Sequence, residues 1–221
     1  MGILPESQIN RLKVDLSERL VKPITLIVFT QEYECNYCKE TRELAQEVAS
    51  LTDKIKVQVF DLVKDKVKAD EFNIDKVPAI VLVGPRKSHV EFFGIPVGYE
   101  FSTFMKDIIQ LSREATELSN ETRQVLTAIK TPVHIKIFVT PTCPYCPSVV
   151  SLAHQFAMEN PHIRAEMIEI SEFPQLAVKY NVMGVPKTVI NETRELLGMQ
   201  LEDEFLRQVT AASKPPSLTY G

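Results

Sequence analysis

The chain has 221 residues, of which 44% are hydrophobic and 24% charged, with a net charge of −4. That length can bury a sizeable core in one or two domains, and the mild acidity gives no footprint for nucleic acid or an anionic membrane. No apolar run approaches the roughly 18 residues of a membrane span, and the four cysteines fall into two CxxC pairs instead of spreading as in a secreted disulfide scaffold.

The start, "MGILPESQINRLK", lacks the basic residues and apolar stretch of a secretory signal, so a cytoplasmic location is expected. A helix is predicted over about 6–20, then a β-rich run, "ITLIVFT", leading into a cysteine loop, "ECNYCKE", at 34–40. An amphipathic stretch of helical period covers 39–50, followed by a strand, "IKVQVFDL", and a short helix at about 64–73. Val77-Pro78 introduces the strand "AIVLV"; the strand "VEFFG" and a helix at about 100–113 follow. The charge run "DLVKDKVKADE" at 61–71 reads as a solvated helix face.

The same order then recurs. A helix at about 119–130 precedes the strand "VHIKIFVT" and the loop "TPTCPYCPS" at 140–148. A helical stretch at 147–159, the strand "RAEMIEI", a helix at about 172–180, Val185-Pro186, the strands "KTVI" and "RELLG", and a helix at about 201–212 complete the copy. The tail "KPPSLTYG" offers little to bury. His89, His134, His154 and His162 are scattered away from both CxxC pairs, so surface or ordinary packing roles are expected of them.

The recurrence extends to individual residues. Cys143 follows Cys35 by 108 residues, and at that shift Tyr37 falls on Tyr145, Leu44-Ala45 on Leu152-Ala153, Asn73 on Asn181 and Val77-Pro78 on Val185-Pro186. With four residues removed, "FFGIPVGYEF" also meets "LLGMQLEDEF". Two tandem units of similar size, 1–116 and 117–221, are therefore expected, each alternating strands and helices as an α/β layer fold with mixed strand directions.

Three chemistries suit a CxxC pair. As a staple it is weak, because a loop this small is worth roughly 2 kcal/mol against nearly 5 for one of about 100 residues. As a zinc clamp the two pairs are badly spaced, since compact sites separate them by about 15–20 residues. As a redox centre the placement makes sense: each pair follows a strand and opens a helix, whose free N–H groups and dipole favour a thiolate. An unperturbed thiol is only about 3% ionised at neutral pH, so such help matters. Pro144 suits the first helical turn, where its missing N–H is no loss.

In that reading Cys35 or Cys143 attacks a substrate disulfide, and Cys38 or Cys146 resolves the mixed disulfide. An X-Pro bond tolerates the cis form. A cis Pro78 or Pro186 beside the cysteines would offer the preceding backbone, at Val77 or Val185, to an extended peptide. Tyr37 and Tyr145 either pack beside the sulfurs or shape the docking surface. A zinc-stabilised module and a redox-inert binding or chaperone module remain the rival readings.

Strand, CxxC, helix and a later Val-Pro before a strand resemble the thioredoxin superfamily, and CPYC is the glutaredoxin type of motif. Two such units in tandem, with "GVPK" and "FFGIPVGYEF", resemble the protein disulfide oxidoreductases of archaea and thermophilic bacteria. The chain is similar also to the N-terminal domain of the alkyl hydroperoxide reductase flavoprotein, although that domain keeps one CxxC. The resemblance implies two tandem thioredoxin-like folds, each a mixed central sheet flanked by helices. It implies dithiol–disulfide exchange on protein substrates (reduction, oxidation or isomerisation) without a bound cofactor. Its implied partners are a thioredoxin-reductase-like flavoprotein delivering NADPH electrons, and a peroxiredoxin.

One departure concerns proton transfer. Thioredoxins carry a buried Asp on the strand before CxxC, where this chain is apolar around Phe29 and Ile137. In the related reductase domain a Glu in Gly-x-Glu-Phe is the candidate; Gly98-Tyr99-Glu100-Phe101 matches it, and Glu204 in "EDEF" is a weaker counterpart. Both also read as exposed glutamates at a helix start, favoured by the dipole. The two centres differ in flanking charge. Glu32 and Glu34, partly offset by Lys39, oppose a thiolate at Cys35, whereas Thr140, Pro141, Thr142 and Pro144 leave Cys143 without a carboxylate in its immediate sequence. Cys143 is therefore expected to have the lower pKa and to lead.

Overall fold

A computed structural model describes residues 2–86 and 88–214, which leaves 215–221 of the tail outside the described residues. The first half runs α1 (Glu6–Arg19), β1 (Ile24–Thr30), α2 (Cys38–Ser50), β2 (Ile55–Asp61), α3 (Lys66–Glu71), β3 (Ala79–Val83), β4 (His89–Phe93) and α4 (Glu100–Arg113). The second repeats that order as α5 (Asn120–Thr127), β5 (Val133–Val139), α6 (Cys146–Glu159), β6 (Ile163–Glu169), α7 (Pro174–Lys179), β7 (Lys187–Ile190), β8 (Arg194–Leu197) and α8 (Glu202–Ala212).

The strands form one eight-stranded sheet in the order β2-β1-β3-β4-β6-β5-β7-β8. β1 is apolar almost throughout because helices cover both of its faces. Leu26 and Val28 pack with Leu44, Val48, Phe104 and Ile108 of α2 and α4, while Ile27 and Phe29 pack with Ala69 and Ile74 on the α3 side. β2, at the sheet's free edge, keeps only Ile55 buried. The run at 61–71 is largely exposed on α3 apart from the buried Ala69, and carries Lys66–Asp70 and Lys68–Glu71 pairs.

The registers place both cysteine loops at one end of the sheet. Phe29 pairs with Ala79 and Phe138 with Lys187, so Pro78 and Pro186 each lie opposite the strand end that enters a CxxC loop. From β1 to β5 there are four strand steps, which sets the two loops about 19 Å apart along the sheet. Four thiolates so separated cannot reach one ion at a zinc–sulfur distance of about 2.3 Å.

Each half has its expected mixed sheet, and β4 and β6 pair in parallel and join the two into one. Phe92 and Phe93 lie opposite Met167 and Ile168, all fully buried. The same register puts the buried Glu91 opposite the buried Glu166, a like-charge contact that is unfavourable by itself. Arg164 resolves it: its Nε and Nη2 donate to Glu91 at 2.9 and 2.7 Å, and Nη2 stands 3.0 Å from Glu166. Burial would raise Glu166, but the His134 hydrogen bond and the Lys76 and Arg164 charges hold it well below the usual carboxylate range. The stability it contributes is therefore present above that range and lost as pH falls towards the folded-state value. Arg164→Ala, which strands a buried charge, is expected to cost about 3–5 kcal/mol, read as a lowered urea midpoint; an unchanged midpoint would show that the seam does not depend on it.

Candidate active site

Each CxxC pair is a disulfide, Cys35–Cys38 and Cys143–Cys146, with Cα atoms 5.5 Å apart in both. The helices start at the second cysteine, with Tyr37 and Tyr145 as N-cap residues. This corrects the placement of Pro144: it precedes the N-cap in a turn, and Pro147 occupies the first helical turn. The reason is geometric. Residues 141–145 form a turn in which the Cys143 N–H donates to the Thr140 carbonyl, and helical hydrogen bonding starts only at Cys146.

Within each pair the first sulfur is the more accessible. Cys35 is half-buried against 4% exposure for Cys38, and Cys143 is 7% exposed against 0% for Cys146. An attacking group from outside therefore meets Cys35 or Cys143. The hydrogen bonds differ between the centres. The Cys146 N–H donates to Cys143 Sγ at 3.2 Å, directing a helix-start donor at the outer sulfur. At the first centre the Gln31 N–H donates to the inner sulfur, Cys38 Sγ, at 3.4 Å.

The Val77–Pro78 and Val185–Pro186 peptide bonds are both cis. The Pro78 carbonyl accepts from the Gly94 N–H at 3.0 Å and Pro186 from Gly198 at 2.8 Å, so each loop is anchored on the following strand. The second is also pinned by Lys187, 6% exposed, whose Nζ donates to the Tyr180 carbonyl at 2.6 Å and meets Glu195 at 2.8 Å. Tyr37 and Tyr145 are exposed, at 45% and 62%, and so lie on the rims of their centres.

Glu100 comes from the first half but lies against the second centre. The Tyr99 N–H donates to the Pro141 carbonyl at 3.1 Å. Gly98, at φ +62°, approaches so closely that a Cβ there would stand 2.2 Å from that oxygen. Glu100 itself is 1% exposed, and neither carboxyl oxygen has a hydrogen-bond partner. Burial pushes its pKa up to about 8; Thr103 opposes the shift and Asp107 adds to it. The reading of Glu100 as an exposed, dipole-favoured residue does not survive this burial. Glu204 has other surroundings: half-buried, it accepts from Gln208 at 2.8 Å and pairs with Arg207, which hold it below its usual range. Among the described contacts, none joins Glu204 to a cysteine loop.

Two features escaped the sequence reading. Glu172, from the second half, accepts from the Ile95 N–H at 2.7 Å, next to the Gly94–Pro78 anchor of the first centre. Burial raises it to about 7, against that hydrogen bond, and Glu169 and Glu40 add to the rise. The first centre thus has acidic groups on several sides. His154, expected to pack blandly, is fully buried on α6, with Nδ1 2.6 Å from Asp107 Oδ2 on α4. A lone His and a lone Asp on otherwise apolar helix faces, in "SLAHQFA" and "FMKDIIQL", were the available signals.

A thioredoxin domain family model matches residues 133–211. The crystal structure of a protein disulfide oxidoreductase from Aeropyrum pernix superposes with a TM-score of 0.89 at 33% identity, covering 96% of this chain and 95% of that one. The alkylhydroperoxide reductase AhpF from Enterococcus faecalis gives a TM-score of 0.85 at 29% identity, covering 93% of this chain and 99% of that one. Among curated relatives, an NADH dehydrogenase of Bacillus subtilis is 26% identical over 171 residues, 77% of this chain and 31% of the relative. This chain spans 31% to 34% of the length of the first curated relatives it matches. At 33% identity over nearly the whole Aeropyrum pernix protein, the chain belongs to the protein disulfide oxidoreductase family and is a thiol–disulfide oxidoreductase built on two tandem thioredoxin-like folds.

Proposed function

We propose that the protein exchanges disulfides with protein substrates at both centres, in units 1–116 and 117–221, with the second centre leading. The observation that carries this is the arrangement at Cys143: an outer sulfur receiving a backbone N–H, an inner Cys146 fully buried, and a buried glutamate supplied across the joint. In the reducing direction the Cys143 thiolate attacks one sulfur of a substrate disulfide, forming a mixed disulfide and releasing the other substrate sulfur as thiolate. Cys146 then passes its proton to the Glu100 carboxylate and attacks Cys143, releasing the second substrate thiolate. Two electrons have moved to the substrate, and the enzyme holds the Cys143–Cys146 disulfide. Run backwards, the same steps oxidise a substrate dithiol, with Glu100 returning the proton.

Val77 and Val185 would offer backbone to an extended substrate segment beside each centre. Electrons for the reducing cycle would come from a thioredoxin-reductase-like flavoprotein using NADPH. A peroxiredoxin is assigned as a further partner, supported by the alkyl hydroperoxide reductase among the relatives. The assigned location is cytoplasmic; among the described residues no helix is long and apolar enough to cross a membrane.

Insulin reduction and refolding of a scrambled disulfide protein, run on wild type, Cys35→Ser, Cys143→Ser and the double variant, test the reading. Cys143→Ser should lose more activity than Cys35→Ser, and the double variant should retain none. Activity undiminished in the single and double variants would sink it, and a protein without exchange activity that still binds unfolded protein after both pairs are changed to serine would be a redox-inert binding module. The same single variants, fully reduced, also report the difference between centres. Cys143 is expected to alkylate with iodoacetamide at lower pH than Cys35, because Glu32 and Glu34, joined by Glu172 above about pH 7, place negative charge around the first centre. An equal or lower midpoint at Cys35 would remove the asymmetry.

A further inference from the structure

Between α4 and α6 runs a buried polar column of which the exchange steps above use only Glu100. On α4, Glu100, Thr103 and Asp107 are spaced three and four residues apart and so share one face. All are at most 2% exposed, and both Glu100 oxygens, the Thr103 hydroxyl and Asp107 Oδ1 lack hydrogen-bond partners. From α6, His154 closes the column: Nδ1 bonds Asp107 Oδ2 at 2.6 Å, Nε2 has no partner, and the ring stands edge-on to Phe92 at 4.9 Å. Orphaned atoms on buried groups are costly to keep, so their persistence calls for a role beyond packing.

We propose that Asp107 and His154 form a positioning pair for the second centre, which governs the proton that Glu100 exchanges with Cys146. This rests on the reading of Glu100 given above. The link is electrostatic and short. Asp107 lies two turns, about 10 Å, along α4 from Glu100, and both are buried, where charges act strongly. Burial pushes the Asp107 pKa up, while the His154 charge and hydrogen bond pull it down, so His154 sets how much negative charge Asp107 carries; that charge disfavours a negative Glu100 and keeps its proton in place.

The surroundings leave the pair dominant. α4 itself adds the partly exposed Lys106 and, at its far end, the exposed Arg113; β1 and β3 bring no ionisable side chain to it, and Glu169 on the α6-facing side of β6 is held by the Ser171 and Glu172 N–H groups. On β4, Glu91 and His89 point to the opposite face of the sheet from Phe92. Gln155 and Ser151 of α6 carry no charge, and Arg11, Asp15 and Arg19 of α1 meet α4 on its outer side. The repeat does not reproduce the column: the positions matching Glu100, Thr103, Asp107 and His154 are Glu204, Arg207 and Ala211 on α8, beside the β8 edge of the sheet, and Gln46 on α2.

The test uses the full chain with Cys35 and Cys38 changed to serine, so that only the second centre turns over. Insulin is the substrate and dithiothreitol the reductant, with kcat and KM followed from pH 5 to 10. The parent should show kcat rising through an inflection set by Glu100. Asp107→Asn should move that inflection down by about half to one pH unit and raise kcat at pH 7 about two- to five-fold, with KM unchanged. Asp107→Asn/His154→Gln keeps an amide hydrogen bond between the helices without charge; it should show the same shift and serves if the single variant does not fold. An unmoved inflection in a folded, active variant would overturn the proposal and leave the assignment of the centre standing. A parent inactive on insulin would overturn both.

Discussion

Cys146→Ser is expected to cut turnover at the second centre by about a thousand-fold or more and to leave substrate attached through Cys143. The argument starts from exposure. In the disulfide form Cys143 is 7% exposed and Cys146 is fully buried, so the mixed disulfide forms on Cys143. Its resolution needs a second thiol held within the same loop, and such intramolecular attack is worth effective concentrations of about 10⁵ M or higher. With a serine hydroxyl replacing the Cys146 thiol, only millimolar thiols from solution can release the substrate. In a Cys35→Ser/Cys38→Ser background, a non-reducing gel after incubation with a disulfide-bonded protein should show a one-to-one adduct with Cys146→Ser and none with Cys143→Ser. An adduct through Cys146, or undiminished turnover, would reverse the roles assigned to the two sulfurs.

How far the sequence could be read follows from which forces are local. The apolar runs of β1 and β3 have the observed bounds, because a strand covered on both faces needs an almost unbroken apolar segment, and Pro78 and Pro186 mark where β3 and the shorter, half-polar β7 begin. The cysteines and the Val-Pro pairs were legible through the repeat, since a duplicated centre keeps its spacing. The fused sheet was not. Pairing β4 with β6 depends on which edges meet in space, and "HVEFF" reads equally well as an edge or an interior strand. The repeat held a clue in retrospect: Phe92-Phe93 became interior while the matching Leu196-Leu197 stayed on the edge, Leu197 being 69% exposed.

The same fusion explains why the centres are unequal. β6 and its helices cover the first half's joining edge, which brings the start of α4, where Glu100 sits, to the Pro141 carbonyl of the second cysteine loop. The corresponding edge of the second half, at β8, ends the sheet, so Glu204 stays half-exposed and salt-bridged. In the other direction the joint delivers Glu172 beside the first centre's proline loop. Two nearly identical motifs thus acquire different electrostatics from their place in one continuous sheet rather than from the CxxC residues themselves.

Glu100→Gln should slow the second centre by about 100-fold at pH 7 to 8, the usual loss of a general acid–base group, while making the protein more stable in alkali. The two effects have one origin. Burial raises the Glu100 pKa to about 8, so the folded protein holds a proton there that the unfolded chain releases above its ordinary value. The stability contribution is fully present below the ordinary carboxylate range and is lost as pH rises through about 8. Glutamine, which has nearly the same shape and no charge, escapes that loss. Wild type and variant should therefore have matching urea midpoints near pH 4, and the variant should gain on the order of 3 kcal/mol by pH 9. A purely structural glutamate would give the stability change with normal turnover, and a surface glutamate would give neither. Slower exchange together with higher alkaline stability is the signature of a carboxyl kept in an unfavourable place because the chemistry at Cys146 uses its proton.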